Sequence, residues 1–193
     1  MIEPASASAG SIDWVRTLIA KGPRPLHRGH LRYQPIQAVV PALHLIVLDT
    51  SGSMRQRGRL ALAKGYAARL IEQAARTGDD VGVLSFGGDG IEVLVPPGPA
   101  RAAGAMRVRQ RGGGGGTPLA QAMVLASCLL ERHASHKLRD STLWLLTDGR
   151  TLEQPQPPSG VGQIVIIDFD HPDRPVGRCA AWAQRWPAEY RRA

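Results

Sequence analysis

Short, nearly unbroken apolar runs alternate along this chain with longer segments in which apolar residues return every three or four positions. Leu43 to Leu48 is interrupted only by His44, as expected of a strand covered on both faces. Arg59 to Arg76 sets Leu60, Ala63, Ala67, Leu70, Ile71 and Ala74 on one helical face, and Gly78 follows as a stop. Val81 to Phe86 predicts a second buried strand. Ile91 to Val95 returns across Gly87-Gly88-Asp89-Gly90, which predicts an antiparallel hairpin at a sheet edge. Ala100 to Arg109 predicts a short helix, and the run Gly112 to Gly116 is too permissive for regular structure. Thr117-Pro118 then reads as an N-cap followed by proline at the first helical position, ahead of the stripe Ala122, Leu125, Ala126, Leu129 and Leu130. Thr142 to Leu146 and Ile164 to Ile167 predict two more buried strands, separated by a proline-rich loop from Glu153 to Gly160, and a last helix spans Val176 to Trp186. Strands alternating with helices imply an α/β fold: a doubly wound, mostly parallel sheet with helices on both faces and one antiparallel edge strand. In such sheets ligands sit beyond the carboxyl ends of the strands.

Residues 1–41 lack this periodicity. Lys21, Arg24, His27, Arg28, His30 and Arg32 cluster there, broken by Pro23, Pro25 and Gly29, so an irregular basic N-terminal arm is expected to precede one domain over residues 42–193. The 193 residues are 43% hydrophobic and 21% charged, which suits a folded chain and excludes a disordered one. No apolar run approaches the roughly 18 residues of a membrane span, and the N-terminus has no basic segment leading into an apolar one, so a cytoplasmic location is expected. The net charge of +8 comes from 24 basic residues, of which all but Lys21, Lys64 and Lys137 are arginine. Arginine grips carboxylates and phosphates in a fork, so the excess suits an acidic partner. With aromatics at 5% and no stacking motif or basic recognition helix, the chain does not read as a nucleic-acid binder. Cys128 and Cys179 have no neighbour at CxxC spacing, which argues against a disulfide scaffold or a thiolate zinc site.

Three clusters of hard oxygen donors fall at or near the predicted strand ends: Asp49-Thr50-Ser51-Gly52-Ser53, Thr117, and Asp148-Gly149. On an extended loop the spacing i, i+2, i+4 sends Asp49, Ser51 and Ser53 the same way. Hydroxyls with two carboxylates suit Mg²⁺ or Mn²⁺, which favour about six oxygen ligands and often retain water. Zinc would call for histidine or cysteine at these places.

These three clusters resemble the parts of the metal-ion-dependent adhesion site of von Willebrand factor A domains. The likeness extends through Leu48-Asp49-Thr50-Ser51-Gly52-Ser53-Met54, Ala63-Lys64-Gly65, Gly112 to Leu119, and Leu145-Leu146-Thr147-Asp148-Gly149-Arg150. Those stretches are similar to the C-terminal A domain of the magnesium chelatase D subunit and its cobaltochelatase relatives, over roughly Leu43 to Ile167. The resemblance implies a Rossmann-like A-domain fold and a metal held by Asp49, Ser51, Ser53, Thr117 and Asp148, with one coordination position open to a partner's carboxylate. It further implies a subunit that is not an enzyme on its own. Its expected partners are an AAA+ ATPase subunit and a large metal-inserting chelatase subunit. A free-standing A domain serving a MoxR-like ATPase in protein maturation is an alternative. A metal-dependent hydrolase is a third reading, but it requires a general base beside the metal, and no histidine or glutamate adjoins the three clusters.

Other signals carry less. The glycine run lacks the GK[ST] of a phosphate-binding loop. Asp168-Phe169-Asp170 resembles the nucleophile strand of aspartyl-phosphate phosphatases, but the chain after it is too short for the remaining machinery. His27 with His30, and His133 with His136, stand three apart with no acidic neighbour and are expected to be exposed.

Overall fold

The computed structural model describes residues 11–34, 41–112, 118–134, 140–172 and 174–193. In chain order the elements are α1 (Trp14–Lys21), β1 (Leu43–Asp49), α2 (Gly52–Arg55), α3 (Arg59–Thr77), β2 (Asp80–Gly87), β3 (Gly90–Pro99), α4 (Ala102–Gln110), α5 (Leu119–Ala134), β4 (Ser141–Thr147), β5 (Gln163–Asp168), α6 (Arg178–Arg185) and β6 (Glu189–Arg192). The chain divides into two compact units, Met1–Val40 and Pro41–Ala193.

In the larger unit six strands form one sheet in the order β3-β2-β1-β4-β5-β6. Only β2 and β3 pair antiparallel. This is the expected doubly wound α/β architecture. Side-chain alternation along β1 explains why helices cover both faces. Leu43, Leu45 and Val47 join a core with α5 and α6 through Leu119, Ala126, Leu130 and Trp182. Ile46 and Leu48 join a second core with α3 and α4 through Ala67, Ile71, Ala105 and Val108. Burying both faces removes any polar alternation from β1, so its sequence reads as a run. Strand β3 can carry Pro96, Pro97 and Pro99 because it lies at the edge of the sheet, where a missing amide donor disrupts no second ladder.

The winding matters for the site. From β1 the sheet grows through β2 to β3 on one side, and then through β4, β5 and β6 on the other. The reversal lies between β1 and β4, which run parallel with Leu48 beside Leu146. Their carboxyl ends therefore open side by side, at the switch point where doubly wound sheets bind ligands.

Strand β6 has no apolar run to announce it. All of its residues are exposed, and it is held by pairing with β5. Trp182 and Trp186 stack with ring centroids 5.9 Å apart inside the core. Among the described residues no helix is long and apolar enough to cross a membrane.

The smaller unit departs from the irregular arm that the sequence pattern predicts. Helix α1 forms because the Asp13 side chain accepts from the Arg16 amide at its start and Gly22, with φ of 56°, ends it. The Thr17 hydroxyl accepts from the Arg32 amide at 2.9 Å, tying the helix to a following 3₁₀ turn at Arg28–His30. His27 and His30 bond the backbone of that turn, and His30 is buried, contrary to the exposure expected of it.

Candidate functional site

The loop leaving β1 is fixed before any ligand is considered. The Thr50 amide and hydroxyl both donate to the Phe86 carbonyl, at 2.8 and 3.0 Å. Strand β2 can come this close because its last residue is glycine: a Cβ on Gly87 would stand 2.5 Å from Thr50 Oγ1. Thr50 is thus anchored to β2. Asp49 accepts the Ser51 amide at 2.8 Å on one oxygen and the Thr147 hydroxyl at 2.6 Å on the other, which ties the end of β1 to the end of β4. Ser51 stands at the N-cap position of α2 without capping it through its side chain, and one short turn of helix carries Ser53 to within 3.1 Å of it, hydroxyl to hydroxyl. Ser53 Oγ in turn donates to Asp148 Oδ1 at 3.1 Å.

Asp148 leaves β4 in a turn completed by Gly149, whose φ is +66° and where a Cβ would meet Cys179 Sγ at 2.9 Å. The Gly149 amide donates to Thr147 Oγ1 and the Arg150 amide to Asp148 Oδ1, each at 3.1 Å. Four of the five residues predicted for the site, Asp49, Ser51, Ser53 and Asp148, therefore belong to one hydrogen-bonded cluster, although Asp148 lies 95 residues along the chain from Ser53. Thr117 lies outside the described residues. Helix α5 begins just after it, and its Ala120 amide donates to Glu153 Oε2 at 2.6 Å.

Two carboxylates in this small volume are electrostatically expensive. Burial pushes the Asp49 carboxyl up to about 6, with the charge of Asp148 adding to the rise and the Thr147 and Ser51 donors opposing it. Asp148 has a cation: Arg59 Nη1 lies 2.8 Å from its Oδ2, with both side chains at most 10% exposed. Arg150 reaches Asp148 only at 3.9 Å and pairs instead with Asp170 at 2.7 Å. Among the described residues no three His, Cys, Asp or Glu side chains gather as a metal site; the cluster offers two carboxylates, Asp49 and Asp148, and two serine hydroxyls, Ser51 and Ser53. An all-oxygen set of this kind fits a hard divalent ion such as Mg²⁺ and lacks the nitrogen or sulfur that zinc prefers.

The residues that sequence reasoning missed are Thr147, Arg59 and Arg150. Thr147 and Arg150 flank Asp148, and their signal was adjacency. Arg59 stands 89 residues from its carboxylate, and locally it reads only as the first residue of a helix.

The model of the von Willebrand factor type A domain matches residues 44–150. A Mycobacterium tuberculosis protein, Rv2850c, is 29% identical over 163 residues, covering 80% of this chain and 26% of that protein. The magnesium-chelatase 60 kDa subunit of Cereibacter sphaeroides is 33% identical over 153 residues, covering 72% of this chain and 27% of the subunit. The chain thus spans about a quarter of the length of these relatives. Among solved structures, the vWF domain of the type V pili tip protein Mfa5 from Porphyromonas gingivalis superposes with a TM-score of 0.51 at 20% identity, over 58% of this chain and 39% of that one. At that identity the likeness is one of fold.

Proposed function

We propose that this chain, which belongs to the von Willebrand factor type A domain family, is a Mg²⁺-dependent protein-docking module of a tetrapyrrole metal-chelatase complex. Asp49, Ser51, Ser53, Thr117 and Asp148 hold the ion in this reading, and Mn²⁺ can replace Mg²⁺. The bound ion supplies a coordination position for a carboxylate of an AAA+ ATPase partner. The domain is not itself an enzyme: it couples that ATPase to a large metal-inserting subunit.

One observation carries the reading. The continuous chain Ser51 Oγ, Ser53 Oγ, Asp148 Oδ1 lies beside the buried Asp49 at the sheet's switch point, so it brings an all-oxygen donor set to the exit of two adjacent parallel strands. The relatedness to chelatase subunits supports the assignment to that complex. Asp49 positions the set: it holds the Ser51 amide and the Thr147 hydroxyl, and so fixes where the hydroxyls of the β1 loop stand.

The test is a pull-down with the wild-type chain, with and without Mg²⁺, and partners identified by mass spectrometry. Mg²⁺-dependent capture of an AAA+ ATPase is expected, and Asp49→Ala is expected to abolish it while the metal-free protein melts as the wild type does or higher. Capture that ignores Mg²⁺, or that survives Asp49→Ala in a Mg²⁺-dependent way, would sink the reading.

A further inference from the structure

We propose that Arg59 sets the charge of the candidate metal site, so that the site is anionic when empty and cationic when loaded. The inference rests on the metal-docking reading above and deepens it, because it says what makes a carboxylate partner wait for the metal.

Arg59 is placed by backbone geometry that few side chains adopt. Arg57 has φ of 54° and Gly58 φ of 75°, two left-handed residues in succession, and α3 starts immediately afterwards. The first residue of that helix reaches Asp148. Its guanidinium is held at two points, Nε donating to the Gln56 carbonyl at 3.3 Å and Nη1 to Asp148 Oδ2 at 2.8 Å. The two oxygens of Asp148 are thereby divided. Oδ2 meets Arg59, while Oδ1 meets the Ser53 hydroxyl and the Arg150 amide. Arg59 can stay on Oδ2 while Oδ1 remains on the side of the hydroxyls.

The charge count follows from the pairs. Among the described residues Asp49 accepts an amide and a hydroxyl and is paired with no cation. Asp148 is offset by Arg59, and Arg150 is offset by Asp170. Asp49, Asp148 and Arg59 together carry one net negative charge, and a divalent ion among them turns this into one net positive charge. An acidic partner meets repulsion at the empty site and attraction at the loaded one. Without Arg59 the same count runs from two negative charges to neutrality: the ion is held more tightly, and the partner's carboxylate has less to approach. Because these groups are shielded from water, the difference is poorly screened.

This reciprocity separates a charge-setting role from a merely structural one, since loosening the site would weaken both ligands together. The experiment compares the whole chain as wild type, Arg59→Gln and Arg59→Lys. Calorimetry reads the Mg²⁺ affinity, and NMR titration of the Mg²⁺-saturated protein with acetate reads the carboxylate affinity. Arg59→Gln is expected to tighten Mg²⁺ binding by about 3- to 10-fold or more and to weaken acetate binding by a similar factor, as removal of one nearby charge would. Arg59→Lys keeps the charge and should remain within about 2-fold of wild type for both ligands. Should metal-free Arg59→Gln not fold, it is prepared with Mg²⁺ and its affinity read by competition against a chelator. Weaker Mg²⁺ binding in Arg59→Gln, unchanged or tighter acetate binding, or a lysine variant that behaves like the glutamine one would each overturn the inference. A wild-type chain that does not bind Mg²⁺ overturns the docking reading itself, and the inference with it.

Discussion

Two strands, β1 and β5, carry at their carboxyl ends acidic loops that look alike in sequence and differ in chemistry. At the end of β1, Asp49 and the hydroxyls two and four residues on face Asp148. At the end of β5, Asp168 and Asp170 are also spaced by two, and both are buried. The β5 loop has its carboxylates taken up by its own amides and by side chains of neighbouring segments. Asp168 accepts the Tyr190 hydroxyl and the Asp170 amide, each at 2.8 Å. Asp170 is gripped by Arg150 Nε and Nη2 at 3.0 and 2.7 Å and by the amides of His171 and Val176. Burial would push the Asp170 carboxyl up, but those donors outweigh it and hold the group below its ordinary value, whereas Asp49 goes up to about 6. A carboxylate whose acceptor positions are filled internally, with a guanidinium among its donors, has little left for a ligand. Asp49, which accepts one amide and one hydroxyl and has no cation paired with it among the described residues, can still gain by binding one. The contrast explains why the phosphatase-like Asp168-Phe169-Asp170 is a structural corner and the β1 loop is the candidate site.

The sharpest way to break this comparison is to remove the hydroxyl and carboxylate that join β1 to β4. Ser53→Ala combined with Asp148→Ala is expected to reduce Mg²⁺ affinity in calorimetry by about 1,000-fold or more, about 4 kcal/mol. Retained binding would show that the oxygens of this cluster do not hold the ion.

Next in size is the pH dependence of the metal-free protein. A carboxyl whose pKa is higher in the folded than in the unfolded chain favours folding when protonated. The Asp49 contribution is therefore present below pH 3.8 and is lost as pH rises from there through about 6. Asp49→Asn should remove that loss, leaving the variant more stable than wild type at pH 7 by on the order of 3 kcal/mol at most and level with it below pH 4. Chemical denaturation across that range checks both sign and window. A gap that widens toward acid would refute the assignment.

At the other strand end the sign reverses. The depressed Asp170 pKa contributes stability above its unfolded value of 3.8, which is lost as pH falls below it. Asp170→Asn should cost about 2 kcal/mol at neutral pH, because Arg150 and two amides lose a charged acceptor, and should cost nothing in strong acid. The smallest effect ties the two regions together. Freed from Asp170, Arg150 can complete its approach to Asp148 from 3.9 Å, and the extra charge there should weaken Mg²⁺ binding by about 3-fold. An unchanged affinity would mean that Arg150 does not turn toward the site.

Much of this molecule was legible in the chain. The apolar runs at Leu43 to Leu48, Val81 to Phe86, Thr142 to Leu146 and Ile164 to Ile167 identified the strands buried in the sheet, because burial on both faces leaves no room for polar alternation. The spacing of Asp49, Ser51 and Ser53 marked a donor loop but not its shape: in place of the extended run expected there, a turn of α2 carries Ser53 back to Ser51. Helix α1 was also there to be read, in the Asp13 cap and the Gly22 stop, but the density of proline and arginine around Lys21 to Arg32 obscured it. Strand β6 carried no such signal: its residues are polar and exposed, and only the free edge of β5 makes them a strand.

What only the tertiary structure decided is pairing at long range. The sequence places Asp148 at a strand end, and the parallel register of β1 and β4 brings its carboxylate to Ser53. It gives Arg59 to a helix and Arg150 to a loop, and the fold assigns the first to Asp148 and the second to Asp170. It shows His133 without an acidic neighbour, and the fold supplies Asp80 at 2.8 Å. The reason is physical: periodicity and capping are properties of neighbouring residues and can be read along the chain. The charge on a buried carboxylate depends on which distant cation or donor the packing of several elements brings within about 3 Å of it.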